Sequence, residues 1–183
     1  MKRTTILEMN RLSIEEFRNA EKLPLVVVLD DVRSLYNVGS VFRTSDAFRV
    51  EAICLCGITA TPDSSLKASQ EIHKTALGAE DTVAWKYFKD AKTAVESLKN
   101  DGYTVLAIEQ CHGSTMLHDY DFKREKTAIV LGNEVKGVSQ AVIDICDRHI
   151  EIPQFGTKHS LNVSVTAGIV IYHIFAALGL QEQ

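Results

Sequence analysis

Leu25-Val26-Val27-Val28-Leu29 is an unbroken apolar run, rich in β-branched residues and with no polar alternation. A strand with no polar face predicts cover on both sides, as in a parallel sheet. Runs of the same kind recur at Ala52–Cys56, Val83–Phe88, Tyr103–Ile108, Thr127–Leu131 and His149–Ile152. Between them the pattern predicts helices at Val38–Phe48, Ser65–His73, Asp90–Asn100, Ser139–Cys146 and Ser160–Leu180. Strand and helix alternate, which predicts an α/β fold with a mostly parallel sheet flanked by helices. Before the first strand, Ser13-Ile14-Glu15-Glu16 has capping-box spacing and predicts a short helix over Ser13–Ala20, ended by Pro24. No internal repeat or linker interrupts the pattern. The expected organisation is one domain over 25–183, preceded by a short N-terminal extension over 1–24.

Composition narrows the picture. The chain has 183 residues, 45% hydrophobic and 24% charged, enough for one ordinary core. Its net charge of −4 weighs against non-specific polyanion binding, but a basic face is compatible with acidic faces elsewhere. Arg3, Arg11, Arg18 and Lys22 either extend such a face or, balanced by Glu8, Glu15, Glu16 and Glu21, belong to a solvated helix. Cys54, Cys56, Cys111 and Cys146 form no C-x-x-C pair and follow no signal-peptide pattern. Buried or semi-buried thiols and a cytoplasmic location are expected. Leu161 to Leu180 carries no charge, yet it contains Asn162, Ser164, Thr166 and His173. It reads as a helix packed on two sides, against its own sheet and a partner subunit, rather than as a membrane span.

Ligands of open parallel sheets bind beyond the carboxyl ends of the strands, so the loops after the strands are where chemistry is expected. None carries G-x-G-x-x-G, G-x-x-x-x-G-K-[ST] or G-x-S-x-G, and no H-E-x-x-H or similar cluster suggests a metal. Three loops are instead rich in glycine and small polar residues. The first runs from Asp30 to Arg43, the second from Gly132 to Gly137, and the third from Pro153 to Asn162. Individually their residues have plain readings. Asn37 and Ser160 fit helix N-caps, with Asn162 in the first turn after Ser160; Arg43 fits a surface arginine and Glu134 a solvated loop acid.

Together the loops resemble the three signature motifs of the SpoU (TrmH) class of the SPOUT RNA methyltransferases. The first matches as Asn37-x-Gly39-x-x-x-Arg43 and the second as Leu131-Gly132-Asn133-Glu134-x-x-Gly137. The third matches as Ile152-Pro153-x-x-Gly156-x-x-x-Ser160-Leu161-Asn162-Val163-Ser164. The motifs are in family order, and the resemblance extends from about Leu25 to the C-terminus. Gln154 stands where methionine often follows Ile-Pro.

The resemblance implies a parallel sheet with a C-terminal trefoil knot, a homodimer that uses the last helix, and S-adenosyl-L-methionine as cofactor. By motif position the cofactor would lie against Leu131, Gly132, Ile152, Pro153 and Leu161, with Ile108, Glu109 and Gln110 nearby. The implied reaction is methyl transfer to a ribose 2′-hydroxyl of RNA. Arg43, Asn37, Glu134, Ser160 and Asn162 would form the catalytic set. Arg33, Arg43, Lys136 and Lys158 would contact RNA. The family role of Arg43 is general base, but a guanidinium pKa above about 12 favours a clamp that orients phosphate and ribose. The short N-terminal segment leaves no room for a separate RNA-binding domain and tilts the expected substrate from ribosomal toward transfer RNA. A binding module without catalysis on the same fold, and a base-nitrogen methyltransferase, are the competing readings.

Overall fold

The computed structural model describes residues 2–5, 8 and 11–180. Among them the chain runs α1 (Ile14–Asn19), β1 (Leu23–Asp30), α2 (Leu35–Ala47), β2 (Val50–Cys56), α3 (Leu66–Ala76), α4 (Ala79–Thr82) and β3 (Ala84–Phe88). It continues through α5 (Ala91–Asn100), β4 (Thr104–Ile108), β5 (Thr115–Met116), a 3₁₀ turn (Leu117–Asp119), β6 (Thr127–Leu131), α6 (Gln140–Ile143), β7 (Arg148–Glu151) and α7 (Val163–Leu178). The strands form a single sheet in the order β3-β2-β1-β6-β4-β7-β5. Each of its strand pairs is parallel.

The unbroken apolar run of β1 is explained by two cores. Leu25, Val27 and Leu29 point into a layer shared with α2, α3 and α7, where Val38, Phe42, Ile72 and Ile171 are fully buried. Val26 and Val28 point the other way, onto Ala91, Ala94, Val95 and Leu98 of α5. Successive side chains of a strand alternate faces, so a strand buried on both sides must be apolar at every position. The Val83–Phe88 run does not follow this rule. Strand β3 lies at the sheet edge, pairs only with β2, and leaves three of its five residues exposed. Its aromatic and β-branched content suits a half-covered edge as well as a central strand.

Helix α1 forms as its capping box requires, with Ser13 Oγ accepting from Glu16 N–H and the Glu16 carboxylate accepting from Ser13 N–H. It ends at Asn19, and Pro24 is instead the second residue of β1. The segment is docked. Phe17 is buried in the main core, the Arg18 guanidinium donates to the Asp81 carbonyl, and Arg124 pairs with Glu21. Lys22 donates to the Phe17 carbonyl and sits over the Phe17 ring. Phe17, Arg18 and Glu21 therefore fasten this segment to the domain, while the contacts of Lys22 stay within it.

Gly39 of the first motif is a packing residue. A Cβ built there would lie 2.3 Å from the Ile72 carbonyl oxygen and 2.2 Å from Thr75 Oγ1, so only glycine lets α2 and α3 approach this closely. Helix α7 buries Val163, Ala167, Val170, Ile171 and Ile174 and leaves Val165, Ile169 and Tyr172 exposed on another face. Among the described residues no helix is long and apolar enough to cross a membrane.

Candidate active site

The carboxyl ends of β4, β6 and β7 open into a cavity of about 550 Å³. That size suits a ligand of nucleoside dimensions. Leu131, Gly132, Ile152, Leu161, Ile108, Glu109 and Gln110, the residues placed nearest a cofactor by the motif resemblance, all line it. Pro153 does not; it is half-buried. Glu134, Lys136, Ser160 and Asn162 also contribute to the wall, whereas Asn37, Arg33, Arg43 and Lys158 lie outside it.

Two caps differ from the sequence expectation. Helix α2 is capped by Ser34, whose hydroxyl accepts from Asn37 N–H at 3.3 Å, and Asn37 itself is buried within the first turn. Helix α7 is capped by Asn162, not Ser160; Asn162 Oδ1 accepts from Ser164 N–H, Ser164 Oγ and Val165 N–H. Asn37 is thereby released for other work, while Asn162 caps α7 through Oδ1 and keeps its Nδ2 free to donate.

That work is a relay joining the three loops. Asn162 Nδ2 donates to Asn37 Oδ1 at 3.1 Å, and Asn37 Nδ2 donates to Glu134 Oε1 at 3.0 Å. The Glu134 carboxylate also accepts the Arg33 and Ser34 N–H groups, both at 3.0 Å. The direction of the relay is fixed at both ends. A carboxylate only accepts, and Asn162 Oδ1 is already committed to the start of α7, so each amide has one usable orientation. Burial pushes the Glu134 carboxyl up, but hydrogen bonds from the backbone of Arg33, Ser34 and Glu134 itself, and from Asn37, outweigh it and hold the group below its usual 4.5.

The folded-state pKa of Glu134 thus lies below its unfolded value. Its contribution to stability is complete above the ordinary carboxylate range and is lost as pH falls through the folded pKa. Denaturant titrations from pH 7 to pH 3 test this: Glu134→Gln should be less stable than wild type at neutral pH and lose less on acidification. An acid-side slope identical to wild type would remove Glu134 from the relay.

Asn133 and Glu109 brace the second loop. Asn133 Oδ1 accepts the N–H groups of Val135 and Lys136, and its Nδ2 reaches back to the Asp31 carbonyl at 2.8 Å. Glu109 Oε2 accepts Val138 N–H and Oε1 accepts Gln110 N–H. Glu109 therefore faces the cavity with its carboxylate already engaged. Gln110 Nε2 donates to the His159 carbonyl, which ties the third loop to the end of β4. Asn133 stands in the second motif, but its bracing role is not stated by the motif. An asparagine between a strand-end glycine and a loop is a turn signal that would have marked it.

Arg43 is exposed near the end of α2, and no described side chain pairs with its guanidinium. Arg33, Lys136 and Lys158 are exposed as well. The four cysteines are free; burial pushes Cys54 and Cys146 up to about 12 each, so neither serves as a thiolate near neutral pH. Among the described residues no group of three or more His, Cys, Asp or Glu is placed to hold a metal ion.

Sheet and cavity define an α/β domain with a cavity of small-molecule size in the loops at the carboxyl ends of its parallel strands. Within that class the chain belongs to the SpoU rRNA Methylase family, whose model matches residues 24–172. A TrmH-family protein of Staphylococcus saprophyticus is 32% identical over 155 residues, covering 85% of this chain and 59% of that protein. The 23S rRNA (guanosine-2′-O-)-methyltransferase RlmB of Neisseria meningitidis is 31% identical over 163 residues, covering 88% and 62%. The chain thus spans about three fifths of the length of these relatives. Among solved structures, the A. aeolicus TrmH/SpoU tRNA modifying enzyme aligns with a TM-score of 0.76 at 25% identity, covering 90% of this chain and 81% of that one. An AdoMet-bound rRNA methyltransferase from Sinorhizobium meliloti aligns with a TM-score of 0.76 at 25% identity, covering 87% and 59%.

Proposed function

We propose that the protein transfers a methyl group from S-adenosylmethionine to a ribose 2′-hydroxyl of RNA, transfer RNA in preference to ribosomal RNA, as a homodimer. The observation that carries this reading is the convergence of three distant loops. Ile108, Gly132, Ile152 and Leu161 wall one cavity, and the relay from Asn162 through Asn37 to Glu134 locks the loops around it.

The residues fit the cofactor. Ile108, Leu131, Ile152 and Leu161 offer apolar surface for an adenine ring, and the polar backbone of the glycine-bearing loop supplies donors and acceptors for its edge and ribose. S-adenosylmethionine supplies, when bound, a methyl group on cationic sulfur already activated for displacement. The chain's own task is alignment and the handling of one proton. Arg43 clamps an RNA phosphate with its planar fork and sets the ribose in line, the proton leaving to water or phosphate. Asn37, Glu134 and Asn162 hold the loops at the required spacing, and Ser160 stands on the cavity wall beside them. Arg33, Lys136 and Lys158 supply positive charge around the mouth.

Dimerisation accounts for the exposed stripe on α7. Val165, Ile169 and Tyr172 recur at helical spacing, and a second copy would cover them. Residues 25–183 form the methyltransferase domain in this reading, with the trefoil knot of the family. The preference for transfer RNA rests on similarity to the A. aeolicus tRNA modifying enzyme over four fifths of its length.

Incubation with tritiated S-adenosylmethionine and separate pools of unmodified transfer and ribosomal RNA tests the proposal. Label in transfer RNA is expected. Label confined to ribosomal RNA would overturn the preference, and none in either pool despite cofactor binding would favour a binding module on the same fold.

A further inference from the structure

Phe155 is 97% exposed, the most open of the large apolar side chains among the described residues. It lies in the third loop, one residue beyond Gln154, which lines the cavity. The loop around it is held at both ends. Ile152 belongs to the cavity wall, and the His159 carbonyl accepts from Gln110 Nε2 at 2.8 Å. The ring is therefore presented on a tethered support. Lys158 is exposed in the same loop, and Val135, 80% exposed, and the exposed Lys136 belong to the second loop, which shares the cavity wall.

An exposed aromatic ring and exposed lysines carried by the loops that wall a small-molecule cavity have the chemistry of a single-stranded nucleic-acid contact. Bases stack on the ring face while cations meet the phosphates. A cofactor enclosed by the cavity has no use for a ring left in water. A duplex keeps its base faces covered, so a stacking aromatic selects unpaired nucleotides.

We infer that Phe155 stacks on an unpaired nucleobase of the RNA substrate, at or beside the nucleotide whose ribose is methylated. The inference rests on the RNA methyl-transfer reading above and adds a substrate requirement to it: the target lies in a loop or other unpaired segment.

Steady-state kinetics with the RNA pool that accepts label, on Phe155→Ala, Phe155→Leu, Phe155→Tyr and Phe155→Trp, test it. Phe155→Ala should raise KM for RNA about tenfold, the range of a single base–aromatic stack, with KM for S-adenosylmethionine and sedimentation mass unchanged. Tyrosine and tryptophan should restore KM, and leucine should not, because it keeps apolar area without a π-face. In a Trp85→Phe background, which removes the chain's single tryptophan, the fluorescence of Phe155→Trp should be quenched by RNA and not by cofactor. Full rescue by leucine, an unchanged KM in Phe155→Ala, or a fall in sedimentation mass that accounts for the lost RNA affinity would each overturn the inference, the last assigning Phe155 to a subunit interface. If wild type transfers no methyl group to RNA, the enzymatic reading fails. The quench on mixing with unmodified transfer RNA then decides Phe155 separately: its presence supports the contact and its absence removes it.

Discussion

Arg43→Ala and Arg43→Lys are each expected to lower kcat at least about a hundredfold, the scale of a lost transition-state contact, with cofactor affinity and folding stability close to wild type. The geometry supports this separation. Arg43 is exposed on α2, has no described partner and does not line the cavity, so neither the core nor the cofactor site depends on it. Its guanidinium is free to meet an RNA phosphate with two parallel N–H donors, a match that a lysine ammonium cannot reproduce. Failure of both variants is the signature of an orienting clamp. Titration calorimetry with S-adenosylmethionine alongside single-turnover kinetics checks it, and substantial turnover by Arg43→Lys would exclude the planar fork as the working feature.

Gly132→Ala is expected to abolish cofactor binding within the measurable range and to lower stability by about 1–3 kcal/mol, the usual cost of overpacking. The added Cβ would lie 2.0 Å from the Gly137 carbonyl carbon and 2.1 Å from Val138 N. Those are backbone atoms, and no rotamer change relieves the overlap. The loop must spread, breaking the paired hydrogen bonds between Asn133 and Gly137 and pulling Val138 N–H from Glu109. The cavity wall and the relay through Glu134 leave position together. Calorimetry and thermal unfolding of the variant check both effects; retained cofactor affinity would show that the loop's close approach is not what shapes the site.

The two-faced strands were legible because burial on both sides leaves a continuous apolar run, as in β1 and β6. The same signal misleads at Val83–Phe88, where an edge strand uses the same residue types with one face open. Strand β5, two residues long, and α4, of four, are too short to leave a period. The caps were ambiguous for a physical reason: Ser34 and Asn37, and likewise Ser160 and Asn162, are all good N-cap types. Only the helix geometry shows which oxygens reach the free N–H groups.

The motif resemblance named most of the residues that line the cavity, but Pro153, which it also named, stands outside it, and it did not give their wiring. Asn37 lies 97 residues from Glu134 and 125 from Asn162 in the chain, and nothing local states that one amide bridges the other two. Likewise, Gly39 shares a motif with Arg43, yet its close approach to α3 gives it a packing role. Phe155 left no sequence signal, since exposure is a property of the folded loop.

The most direct test of the central claim is the chemical position of the transferred methyl group. RNA labelled from tritiated S-adenosylmethionine is hydrolysed in alkali, which cleaves at every free 2′-hydroxyl, and the products are separated by size. A ribose methyl blocks cleavage at its own linkage, so the label should appear in alkali-resistant dinucleotides that yield a 2′-O-methylnucleoside on enzymatic digestion. Label recovered in mononucleotides carrying a methylated base would contradict the account.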